Sequence, residues 1–210
     1  MNLSTENREK YIQDLADIKD MMHRSSKFTA LSGLSGILAG VAGLVGGYFT
    51  YALLEVNQIK LQLNPTPIDE DISIQLLIIA ASTLLTAKVF IFFFTSRRMR
   101  SNQESIMQKQ TQRLMIHLFI PMLAGGLIIV KLLFNDLLGL SIAATLVFYG
   151  LGLINASKFT LDEMRSLGIL QVLLGVLAVY FPAWSLIIWM VGFGLLHIAF
   201  GIYMHFNLRS

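Results

Sequence analysis

Five basic side chains inside apolar surroundings carry what chemistry this chain offers: Lys88, Lys131, His117, His197 and His205. A lysine within a membrane helix costs at least about 2.5–3.5 kcal/mol on insertion scales, so by default it marks an ion path or a functional contact. Lys88 stands about 12 Å of helical rise from Ser96. Lys131 lies toward the end of its apolar stretch, with Asp136 in the turn that follows. Snorkelling of a long stem to the nearer interface is the plain alternative for both. Two histidines at matched depth could hold a haem or a metal. His117 opens the third apolar stretch, His205 closes the sixth, and His197 sits about two turns deeper than His205. That spacing matches no ligand motif, and a single histidine in a membrane helix commonly bonds to a neighbouring helix.

Several chemistries are excluded or unsupported. There is no cysteine, so disulfides, thiolate metal sites and cysteine nucleophiles are ruled out. No carboxylate lies deep in an apolar stretch, which argues against a proton relay of the Asp/Glu kind. A phosphate-binding glycine loop, a zinc-protease motif and a nucleophile elbow are all missing from the sequence. The expectation is a protein that is not an enzyme, with no catalytic residue, no cofactor and no metal site.

The elements that must position these residues are six apolar stretches: 28–53, 72–95, 114–134, 137–155, 167–181 and 183–206. Each approaches or exceeds the roughly 17 to 25 residues that cross a bilayer as a helix, the fifth being the shortest. They are continuously apolar rather than alternating, which selects helices over barrel strands. A soluble chain of 210 residues could not bury this much apolar surface, and its charged fraction of 14% is well below the roughly 25% of soluble domains. The fold class is therefore all-α: a polytopic membrane protein with six transmembrane helices in one bundle over 28–206. Residues 1–27 form an amphipathic cytoplasmic segment and 207–210 a short tail. In the first segment Tyr11, Leu15, Ile18 and Met22 recur at helical spacing beside mixed charge.

Orientation follows from the basic residues. With the N-terminus inside, the inner segments collect most of the lysines and arginines, including Arg97, Arg98, Arg100, Lys158 and Arg165, while the outer loops carry only Lys60. This imbalance places both termini in the cytoplasm of a cell membrane. The +3 formal charge is a topology signal rather than a nucleic-acid footprint. The outer loop 55–71 carries Asp69, Glu70 and Asp71, read as a solvated run whose end starts a helix. Connector 96–113 is basic and is expected to extend a span beyond the lipid. Thr160 and Glu163 have the spacing of a capping box before the fifth span. Pro121 and the Gly125-Gly126 pair are candidate kink positions in the third.

The first stretch holds a seam of small residues: Gly33, Gly36, Gly40, Gly43 and Gly47, at spacings of three, four, three and four. Lipid provides little hydrophobic drive for helices to associate, so close backbone approach matters more. Each glycine costs about 1 kcal/mol relative to alanine in a soluble helix, so the seam implies a compensating contact. An internal neighbour or a second copy of the chain would each fit. Gly168, Gly175, Pro182, Gly194 and Gly201 make a glycine and proline hairpin over about the last 45 residues. This hairpin resembles the HdeD-like group of small bacterial six-helix membrane proteins. The resemblance implies a bundle of repeated helical hairpins and association with membrane stress rather than a defined chemistry.

The functional expectation is a non-enzymatic integral membrane protein, acting as a small sensor, scaffold or accessory subunit through helix packing. Its partners would be the bilayer and a second copy or another membrane protein. The alternatives are a small-solute or ion transporter or channel using Lys88 and Lys131, and a haem-binding redox subunit using the histidines.

Overall fold

A computed structural model describes residues 12–15, 33–61, 67–101 and 109–207. Of the N-terminal stripe only Leu15 falls among them, and it is exposed. Tyr11, Ile18 and Met22 lie outside the described residues, as do 102–108 of the connector.

The fold is all-α, with six helices long and apolar enough to cross a membrane. They are α1 (Gly33–Val56), α2 (Glu70–Ser101), α3 (Lys109–Leu133), α4 (Leu138–Ala156), α5 (Glu163–Tyr180) and a composite sixth span. The last consists of α6 (Ser185–Trp189), a π-helical segment (Met190–Leu196) and α7 (His197–Asn207). Around the bundle, α2 packs on α1, α1 on the sixth span, that span on the α4–α5 pair, and α3 on α4.

One boundary differs from the sequence reading for a local reason. The fifth helix begins at Glu163 rather than at 167, because the charged residues of its first turn are helical ahead of the apolar run. Asp162, just before it, already has helical backbone and makes no side-chain capping bond, while Thr160 ahead of it is extended and fully buried. The chain enters this helix through bonds from Met164 N–H to the Leu161 carbonyl and from Arg165 N–H to the Asp162 carbonyl. In the third span α3 runs as one helix through Pro121, and the π-helical backbone occurs in the sixth span.

The glycine seam of α1 faces an internal neighbour. A Cβ on Gly33 would meet the Gly201 carbonyl oxygen at 2.5 Å, and one on Gly40 would meet the Gly194 carbonyl oxygen at 2.7 Å. Gly36 lies against Gly201, Gly43 against Phe193 and Gly47 against Met190. Each step along the seam thus advances back along the sixth span, as two antiparallel helices in close backbone contact require. One position aside, Gly46 receives Thr83 of α2. The α4–α5 pair closes in the same way. Gly150 and Gly168 meet each other's carbonyl oxygens, with Cβ distances of 2.6 and 2.8 Å. Dispersion and weak Cα–H···O contacts, rather than water exclusion, hold such pairs in lipid.

The two ends of the bundle are finished differently. At the end where α1 meets α2, Leu54, Leu76, Leu133, Leu138, Ile142 and Leu186 form an apolar cluster, with Ile59, Leu61 and Ile68 of the first loop packed over it. That loop is strapped down by a bond from Ile68 N–H to Asp136 Oδ1 at 2.8 Å. Asp136 therefore serves the loop, in a turn whose φ of 62° places it in the left-handed region. Tyr48, Tyr51, Tyr180 and Trp184 are exposed near this end, where amphipathic rings suit a membrane interface. At the opposite end Leu114 and Ala156 pack with Leu118 and Phe159.

Candidate functional site

The middle of the bundle contains a polar node built on the π-helical segment. An α-helix that widens to i→i+5 bonding leaves a carbonyl open to side chains, and such bulges recur at functional sites. Here the exposed acceptor is the Gly192 carbonyl. It receives Gln171 Nε2 from α5 at 2.8 Å and His197 Nδ1 from α7 at 2.9 Å. On the other side of the imidazole, His197 Nε2 lies 2.8 Å from the Tyr149 hydroxyl of α4.

One tautomer satisfies the whole set. With the proton on Nδ1, His197 donates to the Gly192 carbonyl and accepts at Nε2 from Tyr149. Gln171 Nε2, at 3.4 Å from Nδ1, then spends its donor on the same carbonyl. Reversing the Gln171 amide would set its oxygen against that carbonyl, so the network fixes the orientation. Gln171 is fully buried and His197 is 8% exposed. The cost of closing the node is one orphan: Gln171 Oε1 is buried without a hydrogen-bond partner. A glycine at 192 is required here, since a Cβ there would stand 2.7 Å from Gln171 Oε1 and 2.6 Å from Leu146 Cδ2.

Aromatic rings wall the node. Phe193 stacks on His197 with centroids 5.8 Å apart and planes 11° apart, and it also contacts Tyr149 and Trp189. Trp189 donates its indole N–H to Thr145 Oγ1 at 2.9 Å, and Thr145 in turn donates to the Ile142 carbonyl. The main chain of Phe193 is also the surface against which Gly43 packs. A single residue thus joins the α1 seam to the α4–α5 node.

The other expected residues are not gathered with His197. His117 stacks on Phe159 with centroids 4.8 Å apart, and its carbonyl accepts from Asn155 Nδ2 at 3.0 Å. His205 is half-buried near the far end of α7, edge-on to Phe206. Among the described residues no group of three or more His, Asp or Glu side chains could hold a metal ion. Both ring nitrogens of His197 are engaged by protein groups, which leaves it no lone pair aimed at an iron. Lys88 and Lys131 are both exposed on the outside of the bundle. Within one copy of the chain they do not line an interior path.

Of the node's residues the sequence analysis singled out His197, while Tyr149 and Trp189 were not among its candidates. A tyrosine hydroxyl midway along a membrane-spanning helix is the signal that could have found the node. No family model, curated protein or solved structure matches this chain.

Proposed function

We propose that this is a non-enzymatic integral membrane protein acting as a small accessory, scaffold or sensor subunit through helix packing. It sits in the cell membrane with both termini in the cytoplasm, as the distribution of basic loop residues favours. The observation that carries the reading is the contrast between two kinds of span. Half of the apolar window of α4 is buried, against 6% for α2 and 11% for α3. Tyr149, His197, Gln171 and Trp189 spend their donors on groups of the same bundle, which favours an interior filled by packing over one that holds a solute. The two outer spans offer surface: Ile78, Leu85 and Phe92 on α2, and Phe119, Ile120 and Leu127 on α3, are all exposed.

Photocrosslinking in native membranes tests this, with reactive side chains placed at Leu85 and Ile120 and, as a comparison, at the core position Leu146. Adducts to a defined membrane protein from the α2 or α3 positions are expected. A chain that remains monomeric and free of adducts at both positions would remove the accessory reading.

A further inference from the structure

Lys88 is the residue that the packing leaves unexplained. It is exposed on α2, about 13 Å of helical rise from Arg97 and about 27 Å from Glu70. Its neighbours one turn before and after, Leu84, Leu85, Ile91 and Phe92, are exposed and apolar. The surroundings are those of a lipid-facing or helix-facing surface rather than a wet cavity.

Snorkelling solves this poorly. Side chains on an α-helix lean toward its N-terminus. On α2 that direction runs from Lys88 toward Glu70, into the middle of the span and away from the nearer, basic end. The ammonium reaches that nearer interface only by turning back against the lean of its own stem. An unpaired lysine at such depth carries a cost of about 2.5–3.5 kcal/mol or more.

The charge needs a carboxylate, and among the described residues another copy of this chain has none at that depth. Glu55, Glu70, Asp71, Asp136, Asp162 and Glu163 all stand at helix ends or in turns. Glycine seams elsewhere are already occupied within the fold. We infer that α2 is the docking surface for a transmembrane helix of a different membrane protein, one that carries an Asp or Glu facing Lys88. This rests on the accessory reading above and names the chemistry of its partner. The apolar side chains flanking Lys88 supply the packing and the ion pair supplies register and selectivity. A lysine and an acid that neutralise each other in lipid each relieve the other's insertion cost, which makes this kind of pair selective against partners without an acid.

The test uses the full chain, reconstituted in neutral phosphatidylcholine vesicles and labelled for energy transfer. The probe is a synthetic leucine-alanine transmembrane helix with one Asp about 13 Å from its basic end. Matched probes carry Leu at that place or Asp displaced by two turns. The Asp probe is expected to associate about tenfold more tightly than either control. Lys88→Met abolishes that preference, Lys88→Arg retains it, and Lys88→Glu transfers it to a probe bearing Lys. Because position 88 is exposed, these variants keep the helical circular dichroism and the melting curve of the parent. Equal association of all probes, or a preference that survives Lys88→Met, overturns the inference. So does a Lys88 effect confined to vesicles containing anionic phosphatidylglycerol, which would assign the charge to lipid headgroups. The two readings separate cleanly. Adducts from Leu85 in native membranes with no probe selectivity leave the accessory role standing without its acidic partner. Probe selectivity without adducts fails the accessory role and leaves the charge recognition intact.

Discussion

The Tyr149 hydroxyl lies 2.8 Å from His197 Nε2, and through that contact α4 is tied to the helix that α1 and α5 also grip. The imidazole is held at both nitrogens, by Tyr149 on one side and the Gly192 carbonyl on the other. A ring so fixed acts as a rivet across the bundle. Because Phe193 stacks on it and backs onto Gly43, any rotation of α7 is felt at the α1 seam.

Removing the Tyr149 hydroxyl tests how much that rivet holds. Measured side-chain bonds between membrane helices average about 0.6 kcal/mol and reach about 1.7. Tyr149→Phe is expected toward the upper end, because it leaves His197 Nε2 buried without a donor. A double-mutant cycle of Tyr149→Phe with His197→Phe, read by denaturant unfolding in bicelles, should give a coupling above about 0.5 kcal/mol. Strict additivity would mean that the two groups do not interact in the folded protein.

Gln171 separates the value of its donor from the penalty on its oxygen. Gln171→Leu deletes one bond to the Gly192 carbonyl and also deletes the orphaned Oε1. The losses and gains nearly offset, so the variant should lie within about 1 kcal/mol of the parent. Gly192→Ala is expected to do more harm despite being smaller. Its methyl meets Leu146 and Gln171 Oε1 and forces the node open, at about 1–3 kcal/mol. Thermal unfolding of both variants in detergent sets the order, and an equal or inverted ranking would count against the node as described.

The spans, their number and the packing role of the α1 glycines were legible in the sequence because each is a pattern repeated over many residues. Continuous hydropathy gives a span whatever its neighbours are, and glycines at three and four apart lie on one face by helix geometry alone. Which helix fills the seam was not legible. Gly194 and Gly201 of the sixth span and Gly168 of the fifth look alike in sequence, and only the fold assigns the first pair to α1 and the last to Gly150. The node was hidden for a different reason. Tyr149, Gln171 and His197 lie on three helices and share no local spacing. The π segment that exposes the Gly192 carbonyl has no proline to announce it, whereas Pro121 is carried within the continuous helix α3. The charged first turn of α5 misled in the opposite sense, since hydropathy begins at the lipid boundary and helices do not.

Asp136 predicts a separable pair of effects at the loop end. Its carboxylate accepts from Ile68 N–H, and its backbone sits at a φ of 62°, which Asp and Asn tolerate better than residues with a plain Cβ. Asp136→Asn keeps an acceptor and the turn, and should leave stability and loop protection unchanged. Asp136→Gly keeps the turn but frees the loop, so limited proteolysis at 57–61 should quicken while the melting temperature falls only slightly. Asp136→Ala loses both, at about 1–3 kcal/mol. If Asn and Ala behave alike, the strap contributes nothing.

The glycines provide the sharpest contrast, because the same substitution has opposite consequences at two places. At Gly40 a methyl would come within 2.7 Å of the Gly194 carbonyl oxygen and of Ile198 Cγ1, with backbone of the sixth span directly behind. Backbone cannot move aside as the tip of a side chain can, so α1 must separate from the sixth span along its length. Gly40→Ala should therefore cost about 1–3 kcal/mol. At Gly126 no heavy atom lies within 4 Å of the added Cβ. There the change only removes the conformational freedom that glycine gives an unfolded helix, and Gly126→Ala should gain up to about 1 kcal/mol. Both variants alter composition and hydropathy identically. Unfolding curves that move the same way would show the seam to be a consequence of composition rather than of contact. Opposite shifts, with Gly40→Ala also raising the hydrogen exchange of α1, would establish that the sixth span is what the seam holds.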